Sequence, residues 1–290
     1  MDVFTLYVGQ GALAGVRCDN EVVIIDAHMP TADEVTKEQV EASLGEYIGK
    51  RRVRGLVLTG LDADHAHDEG VDSILTNHTP DWVMYPKYFK DTDCAAAVFA
   101  TIERHEARRS RTARPLVRHS VRLDRLDSRH LSDLADGIDF ELFSPHPDDM
   151  DNSNNSGIVA KLTGRGGSGF SYLATGDTET ERWDRINEFF EDGLRADAMA
   201  APHHGAKSGV NAQTLLHVQP HTVLISAGLD SQYGHPHASA VTAYRRAAKQ
   251  VFATNALPGG TCLYTRRAGD GLETRLVRHS QPTRRAAGAR

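Results

Sequence analysis

Short apolar runs, closed by glycine, aspartate or asparagine, alternate along the chain with longer mixed polar–apolar stretches. Runs at 3–8 and 21–26 predict two opening strands, and the polar–apolar mixture at 32–49 predicts a helix. The segment RVRGLVLT at 52–59 is largely apolar and is bounded by Gly60, which predicts a buried strand. A helix at 68–76, a short strand at 82–85 and a longer helix at 93–109 follow. Residues 108–129 are basic and show little periodicity. A second, similar half predicts strands at 138–143, 157–163 and 170–175, with a loop at 152–155 and the glycine turn GRGGSG between the last two strands. Helices at 180–191, ending at 217, and at 238–248 then alternate with strands at 196–201, 222–226 and 250–253, and a last strand lies near 262–265. Paired strands in each half, then strand–helix alternation, predict two sheets sandwiched between helices. The polar, basic stretch 278–290 is predicted to be disordered, so one folded domain is expected over 1–277, without a linker.

Composition narrows the function classes. Hydrophobic residues at 40% and charged residues at 25% are ordinary for a globular protein and supply a sizeable core. A net charge of −6 argues against a generally basic nucleic-acid-binding surface. The local basic stretch Arg104, Arg108, Arg109, Arg111, Arg114 has the charge to track a phosphate backbone, or equally forms a solvated face, and it lacks interleaved aromatics. The cysteines Cys18, Cys94 and Cys262 form no CxxC pair, which disfavours a disulfide framework or a thiolate zinc site and suits a reducing cytoplasm. No basic-then-apolar leader opens the sequence, and no apolar run approaches the ~18–20 residues of a membrane span. A cytoplasmic protein without a membrane partner is expected.

The histidines carry the chemistry. Thr59-Gly-Leu-Asp62-Ala-Asp64-His65 directly follows a predicted strand, and two carboxylates with an imidazole on such a turn can ligate adjacent divalent cations. A helix-capping turn has the same residue types. Tyr172-Leu-Ala-Thr-Gly-Asp177 ends a second strand with a carboxylate that a capping role also fits. Pro202-His203-His204-Gly205 follows a third strand, and adjacent histidines there are hard to explain by packing, since neighbouring side chains diverge. Tyr233-Gly-His235-Pro-His237 is the fourth segment. A solvated loop accounts for any one of these; their recurrence after successive strands favours a shared site.

These segments resemble the motifs of the metallo-β-lactamase fold, in particular the hydrolase domain of the ComEC competence-protein family. Thr59, Asp62, Asp64 and His65 match the first motif, and SNNS at 153–156, TGD at 175–177, PHHG at 202–205 and YGHPH at 233–237 follow in the family's order. The resemblance spans roughly residues 1–266 and includes neither a membrane channel nor an oligonucleotide-binding module. It implies an αββα sandwich of two mixed β-sheets and two divalent ions, zinc or manganese, the carboxylate-rich ligands tilting toward harder ions. It implies Asp177 as the bridging ligand, with Asp62, Asp64, His65, His204 and His203 as the other ligands. Asp64 is the alternative water-orienting group, and His235 lies on the substrate side as oxyanion stabiliser or proton donor, with His237 a weaker candidate. Asn155, Ser156, Lys207 and Ser208 stand where the family places groups around the cleft. Local backbone hydrogen bonds for Asn155 and Ser156, and solvation for Lys207, are the structural alternatives.

The sequence departs from the pattern at Gly60, where the family's first motif histidine is expected, so one metal position loses a donor. Conversely, Asp26-Ala-His28 carries a histidine where the family has glycine. His28 is therefore a candidate replacement ligand from the opposite wall, or a surface-loop histidine; His67 is a less suitable substitute. The expected activity is metal-dependent phosphodiester or nucleic-acid cleavage. The alternatives are hydrolysis of a lactone, thioester or cyclic nucleotide, or a silent binding module on the same fold.

Overall fold

The computed structural model describes residues 1–31, 33–88, 90–147, 152–167, 169–229 and 231–282. The first half contains β1 (Asp2–Thr5), β2 (Ala14–Cys18), β3 (Glu21–Ile25), α1 (Glu34–Ile48), β4 (Arg52–Val57), α2 (Asp68–Asn77), β5 (Trp82–Pro86), α3 (Asp93–Arg109) and β6 (Val117–Val121). The second contains β7 (His130–Leu131), β8 (Ile138–Ser144), β9 (Val159–Gly164), β10 (Ser171–Ala174), α4 (Thr180–Phe190), β11 (Ala198–Ala200), α5 (Ala212–Val218), β12 (Thr222–Ile225), α6 (Ala238–Ala247) and β13 (Gln250–Ala253). β14 (Cys262–Ala268) and β15 (Gly271–Val277) return to the first half. One sheet runs β15-β14-β1-β2-β3-β4-β5-β6 and the other β13-β12-β11-β10-β9-β8-β7. Both are mixed: β3 to β6 and β10 to β13 pair in parallel, the remaining neighbours antiparallel.

Alternation along the strands decides which layer each side chain joins. In β3, Val23 and Ile25 enter the core between the sheets, while Val22 and Ile24 face α1, α2 and α3. In β10, Tyr172 and Ala174 face the first sheet and Leu173 faces the second helical layer, where Trp183 of α4 is fully buried. These inner strands thus carry apolar residues on both faces, as expected of sheets covered on both sides. The result is the αββα sandwich expected from the motifs. Among the described residues no helix is long and apolar enough to cross a membrane.

Four strands, β2, β6, β7 and β15, lack the apolar runs of the rest. β2 pairs Gly15 with Phe4, and a Cβ at Gly15 would lie 2.3 Å from that ring. Glycine there admits the aromatic and breaks the apolar run that would mark a strand. β6, β7 and β15 are sheet edges with exposed residues such as Arg118, His130 and Arg275, so one-sided burial removes the signal. The stretch predicted to be disordered begins at 278, yet His279 Nε2–H donates to the Tyr7 carbonyl at 2.7 Å and the Ser280 N–H to Ser43 Oγ at 2.9 Å. Those bonds dock the start of the tail; residues 283–290 lie outside the described residues, as do residue 32 of the first predicted helix and residue 168 of the glycine turn.

The parallel strands β3, β4, β10, β11 and β12 end on one rim of the sandwich. Loops leaving the carboxyl ends of parallel strands are where α/β proteins gather functional groups. The Ile158 N–H to Thr59 carbonyl bond at 2.7 Å ties the two sheets together there, and the His203 N–H to Gly176 carbonyl bond at 3.0 Å ties the loops that leave β11 and β10 within the second sheet.

Candidate metal centre

The loop after β4 turns back tightly: the N–H groups of His65 and Ala66 both donate to the Asp62 carbonyl, at 2.9 and 2.7 Å. The Ala12 N–H to Asp64 carbonyl bond at 2.8 Å fixes the turn against the first hairpin. His65 is thereby buried between two carboxylates. Its Nδ1–H donates to Asp26 Oδ2 at 2.8 Å, and its Nε2 stands 2.8 Å from Asp177 Oδ1. Asp26 in turn accepts the Thr59 N–H at 2.7 Å, so its orientation is set by backbone.

Asp177 follows Gly176, whose φ of +52° is a left-handed conformation that glycine adopts freely. A Cβ at Gly176 would lie 3.1 Å from the Thr59 side chain, so that glycine also lets the two strand ends approach. After β11 the chain makes a left-handed turn through His203 (φ 50°, ψ 48°) and His204 (φ 55°, ψ 23°). Consecutive left-handed non-glycine residues cost on the order of 1–3 kcal/mol each, a strain found mainly at functional sites. The turn buries His204, whose Nδ1–H donates to the Ser226 carbonyl at 2.9 Å. That bond fixes the tautomer and leaves Nε2 bare, 3.4 Å from Asp64 Oδ2 and 3.5 Å from Asp177 Oδ1.

Asp64, His65, Asp177 and His204 each offer a ligand atom within 4.8 Å of the others. His65 Nε2, Asp177 Oδ1 and His204 Nε2 are buried without a hydrogen-bond partner. Buried polar atoms are ordinarily satisfied, and these three converge on one point. A divalent cation fits this donor set, two imidazoles and two carboxylates, with Asp26 and the Ser226 carbonyl orienting the imidazoles from behind. The electrostatics agree. Burial alone would neutralise His65, but the Asp177 and Asp26 carboxylates hold its pKa well above the usual histidine range. His204 is raised against its burial by Asp177 and Asp64. Burial likewise opposes ionisation of Asp64 and Asp177, yet the two imidazoles lower both carboxyls.

The other predicted residues are distributed around this group. Asp62 is outside it and pairs with the Lys90 ammonium. His28 is outside it too: its Nδ1–H donates to the Ala63 carbonyl at 2.9 Å, and its ring meets His67 edge-on at 6.1 Å. Burial lowers the His28 pKa. His203 stands at the rim, Nε2 3.9 Å from Asp177 Oδ2 and Nδ1 3.3 Å from Glu179 Oε1. Asn155 and Ser156 are buried in structural bonds, Asn155 Oδ1 accepting the Glu179 N–H at 3.0 Å and Ser156 Oγ donating to the Asn152 carbonyl at 2.8 Å. Asn154, not Asn155, lines the cavity over the centre. The exposed Lys207 donates its N–H to His237 Nδ1 at 3.0 Å, so His237 braces the loop. Ser208 Oγ lies 3.4 Å from His203 Nδ1.

His235 closes the far wall, its ring centroid 6.3 Å from His204 and 5.5 Å from His203. Burial, with the neighbouring imidazoles, lowers its pKa to about 4. Gln10 Nε2 lies 3.5 Å from His235 Nδ1, which makes Nδ1 the acceptor and leaves the proton on Nε2. The cavity between, about 210 Å³, is lined by Gln10, Asp62, Asp64, Asn154, Asp177, His203, His204, Tyr233 and His235. Three members of the site carry no sequence signal of their role. Asp26 acts across a sheet pairing, Gln10 comes from the first hairpin, and Lys90 sits in an irregular loop. In the basic stretch, Arg104 pairs with Asp72, Arg109 donates to the Pro80 carbonyl and Arg114 pairs with Asp81, so these guanidinium groups brace α3 and its flanking loops.

No protein-family model matches the chain. Over 276 residues it is 25% identical to ComE operon protein 3 of Bacillus subtilis (strain 168), covering 91% of this chain and 32% of that protein. The chain thus spans about a third of the length of the curated relative it matches. Among solved structures it is similar to Igni18, a metallo hydrolase from the hyperthermophilic archaeon Ignicoccus hospitalis, at 15% identity and a TM-score of 0.50, covering 92% of this chain and 100% of that one. CmlA, a diiron β-hydroxylase from Streptomyces venezuelae, aligns at 15% identity and a TM-score of 0.50, over 86% of this chain and 52% of that one. The chain has the metallo-β-lactamase fold, and its sequence similarity to a ComE-operon protein agrees with the motifs that first suggested it.

Proposed function

We propose that this chain is a divalent-metal-dependent phosphodiesterase, with nucleic acid as a substrate class, working in a reducing cytoplasm where its free thiols Cys18, Cys94 and Cys262 persist. The convergence of three unsatisfied buried ligand atoms carries this reading. Asp64, His65, Asp177 and His204 would hold the ion, manganese or zinc. A divalent cation held there supplies Lewis acidity, lowering the pKa of water and offsetting negative charge at the reacting centre.

The chain's own groups do the rest. Asp26 holds the His65 proton on Nδ1, and the Ser226 carbonyl does the same for His204. Asp64, kept ionised, also stands where it can orient an attacking water. His235, neutral and protonated on Nε2, is a hydrogen-bond donor for a non-bridging oxygen; its low pKa makes it a poor store of an extra proton at neutral pH. Among the described residues the cavity lining includes no aliphatic side chain. A phosphodiester, charged and hydrated, suits such a wall better than the acyl portion of a lactone or thioester.

Hydrolysis of bis(4-nitrophenyl) phosphate, compared with a lactone and thioester panel in manganese or zinc, tests the proposal. Metal-dependent phosphodiester turnover exceeding turnover of every panel member is expected. Preferential turnover of an acyl substrate would overturn the substrate class.

A further inference from the structure

The resemblance implies two ions, and the residues around the second position do not fit one. Gly60 has no side chain to donate. Asp62, the carboxylate that would remain there, lies outside the four converging ligands and is paired with Lys90. His28, the candidate replacement ligand from the opposite wall, is held by the Ala63 carbonyl and is not part of the group.

Lys90 reaches Asp62 from a braced loop. The loop leaves β5 with the Lys87 N–H bonded to the Val121 carbonyl at 2.8 Å. The buried Tyr88 then accepts the Leu61 N–H on its hydroxyl at 2.9 Å and packs with Leu61 and Ala95. This ties the Lys90 loop to the turn that carries Asp62, one residue from the point of contact. The Lys90 side chain is 16% exposed, so much of its stem is covered and the ammonium is held against the carboxylate. A cation already paired with Asp62 satisfies that carboxylate and repels a second positive charge beside it.

We propose that the centre binds one divalent ion, and that the Lys90 ammonium takes the electrostatic place of a second at Asp62. Lys90 is then a positioning residue. It holds Asp62 at the cavity wall and supplies a fixed positive charge beside a bound phosphodiester. The inference rests on the metal centre proposed above and concerns its stoichiometry and charge. The position of the lost ligand can be refilled. Among the described residues a Cβ at Gly60 would meet only His65 side-chain atoms, at 3.8 and 3.9 Å, which is ordinary contact.

The test is a titration of metal-free protein with manganese(II), counting unbound ion by electron paramagnetic resonance and confirming stoichiometry by elemental analysis. The proteins are the wild type, Lys90→Met, Lys90→Arg and Gly60→His/Lys90→Met, each checked for folding by circular dichroism. The wild type and Lys90→Arg are expected to take one equivalent. Lys90→Met should bind a second ion at least about tenfold more tightly than the wild type, and the double variant more tightly still. Two equivalents of similar affinity in the wild type, or a second ion bound no better by folded Lys90→Met, would overturn the inference while leaving the metal centre intact. No manganese bound to the wild type would instead overturn the metal centre, and the inference with it.

Discussion

Asp26 Oδ2 accepts the Nδ1 proton of His65 at 2.8 Å, while the opposite ring nitrogen faces Asp177 Oδ1, also at 2.8 Å. One carboxylate thereby fixes which histidine nitrogen is bare, and the bare one points at the ligand group. Asp26→Asn keeps the size but can present an amide N–H to Nδ1, which moves the imidazole proton to Nε2 and removes a ligand lone pair. Metal affinity, measured by calorimetric titration, is expected to fall about 10–100-fold. Unchanged affinity would mean that Asp26 does not set the tautomer.

The raised His65 and His204 pKa values make metal binding a competition with protons. In metal-free protein a raised imidazole contributes stability that is full below its unfolded pKa, about 6.5, and is lost as pH rises through the folded value. The lowered Asp64 and Asp177 contribute stability present above their unfolded pKa, about 3.9, and lost as pH falls through the folded values. Metal-free protein therefore draws on both sets between about pH 4 and 6.5. Metal should raise the melting temperature more at pH 8 than at pH 6, as scanning calorimetry with and without manganese would show. An equal shift at both values would contradict the proton competition.

Much of this arrangement is legible in the sequence, and the omissions share a cause. Asp64, His65, Asp177 and His204 stand out because each follows an apolar run that forms a strand, so the local pattern marks loops that the fold brings together. Asp62 has the same local pattern but a different fate, decided by Lys90 from a loop that carries no periodicity. Asn155 and Ser156 share a motif with Asn154, yet the turn directs Asn155 to the α4 amino end, and which of two adjacent asparagines faces a cavity is a three-dimensional fact. The helices α2, α3, α4 and α6 fall within a residue or so of the expected bounds. β2, β6, β7 and β15 carry no such signal because a glycine contact or one-sided edge burial erases their apolar alternation.

His235 is outside the ligand group and, with its pKa lowered to about 4, neutral at pH 7. His235→Ala should lower kcat for a phosphodiester by about 10²–10³ if its N–H stabilises developing charge, with metal content unchanged. Elemental analysis alongside steady-state kinetics separates the roles. Loss of metal in the variant would make His235 a ligand instead.

Trp183 is fully buried between α4 and the second sheet, away from the ligand group. Trp183→Ala should cost about 3–5 kcal/mol in denaturant unfolding. Below the unfolding transition it should still bind manganese with wild-type stoichiometry. A cost below about 1 kcal/mol would show that this layer repacks around the gap.

Asp64, His65, Asp177 and His204 are proposed to form a metal site. Its most direct test is elemental analysis of protein purified without chelator, set against Asp177→Ala of matched folding by circular dichroism. About one equivalent of manganese or zinc is expected in the wild type, and its loss in the variant. Less than about half an equivalent in both proteins, even after incubation with manganese, would contradict the metal site and turn the fold toward a silent binding module.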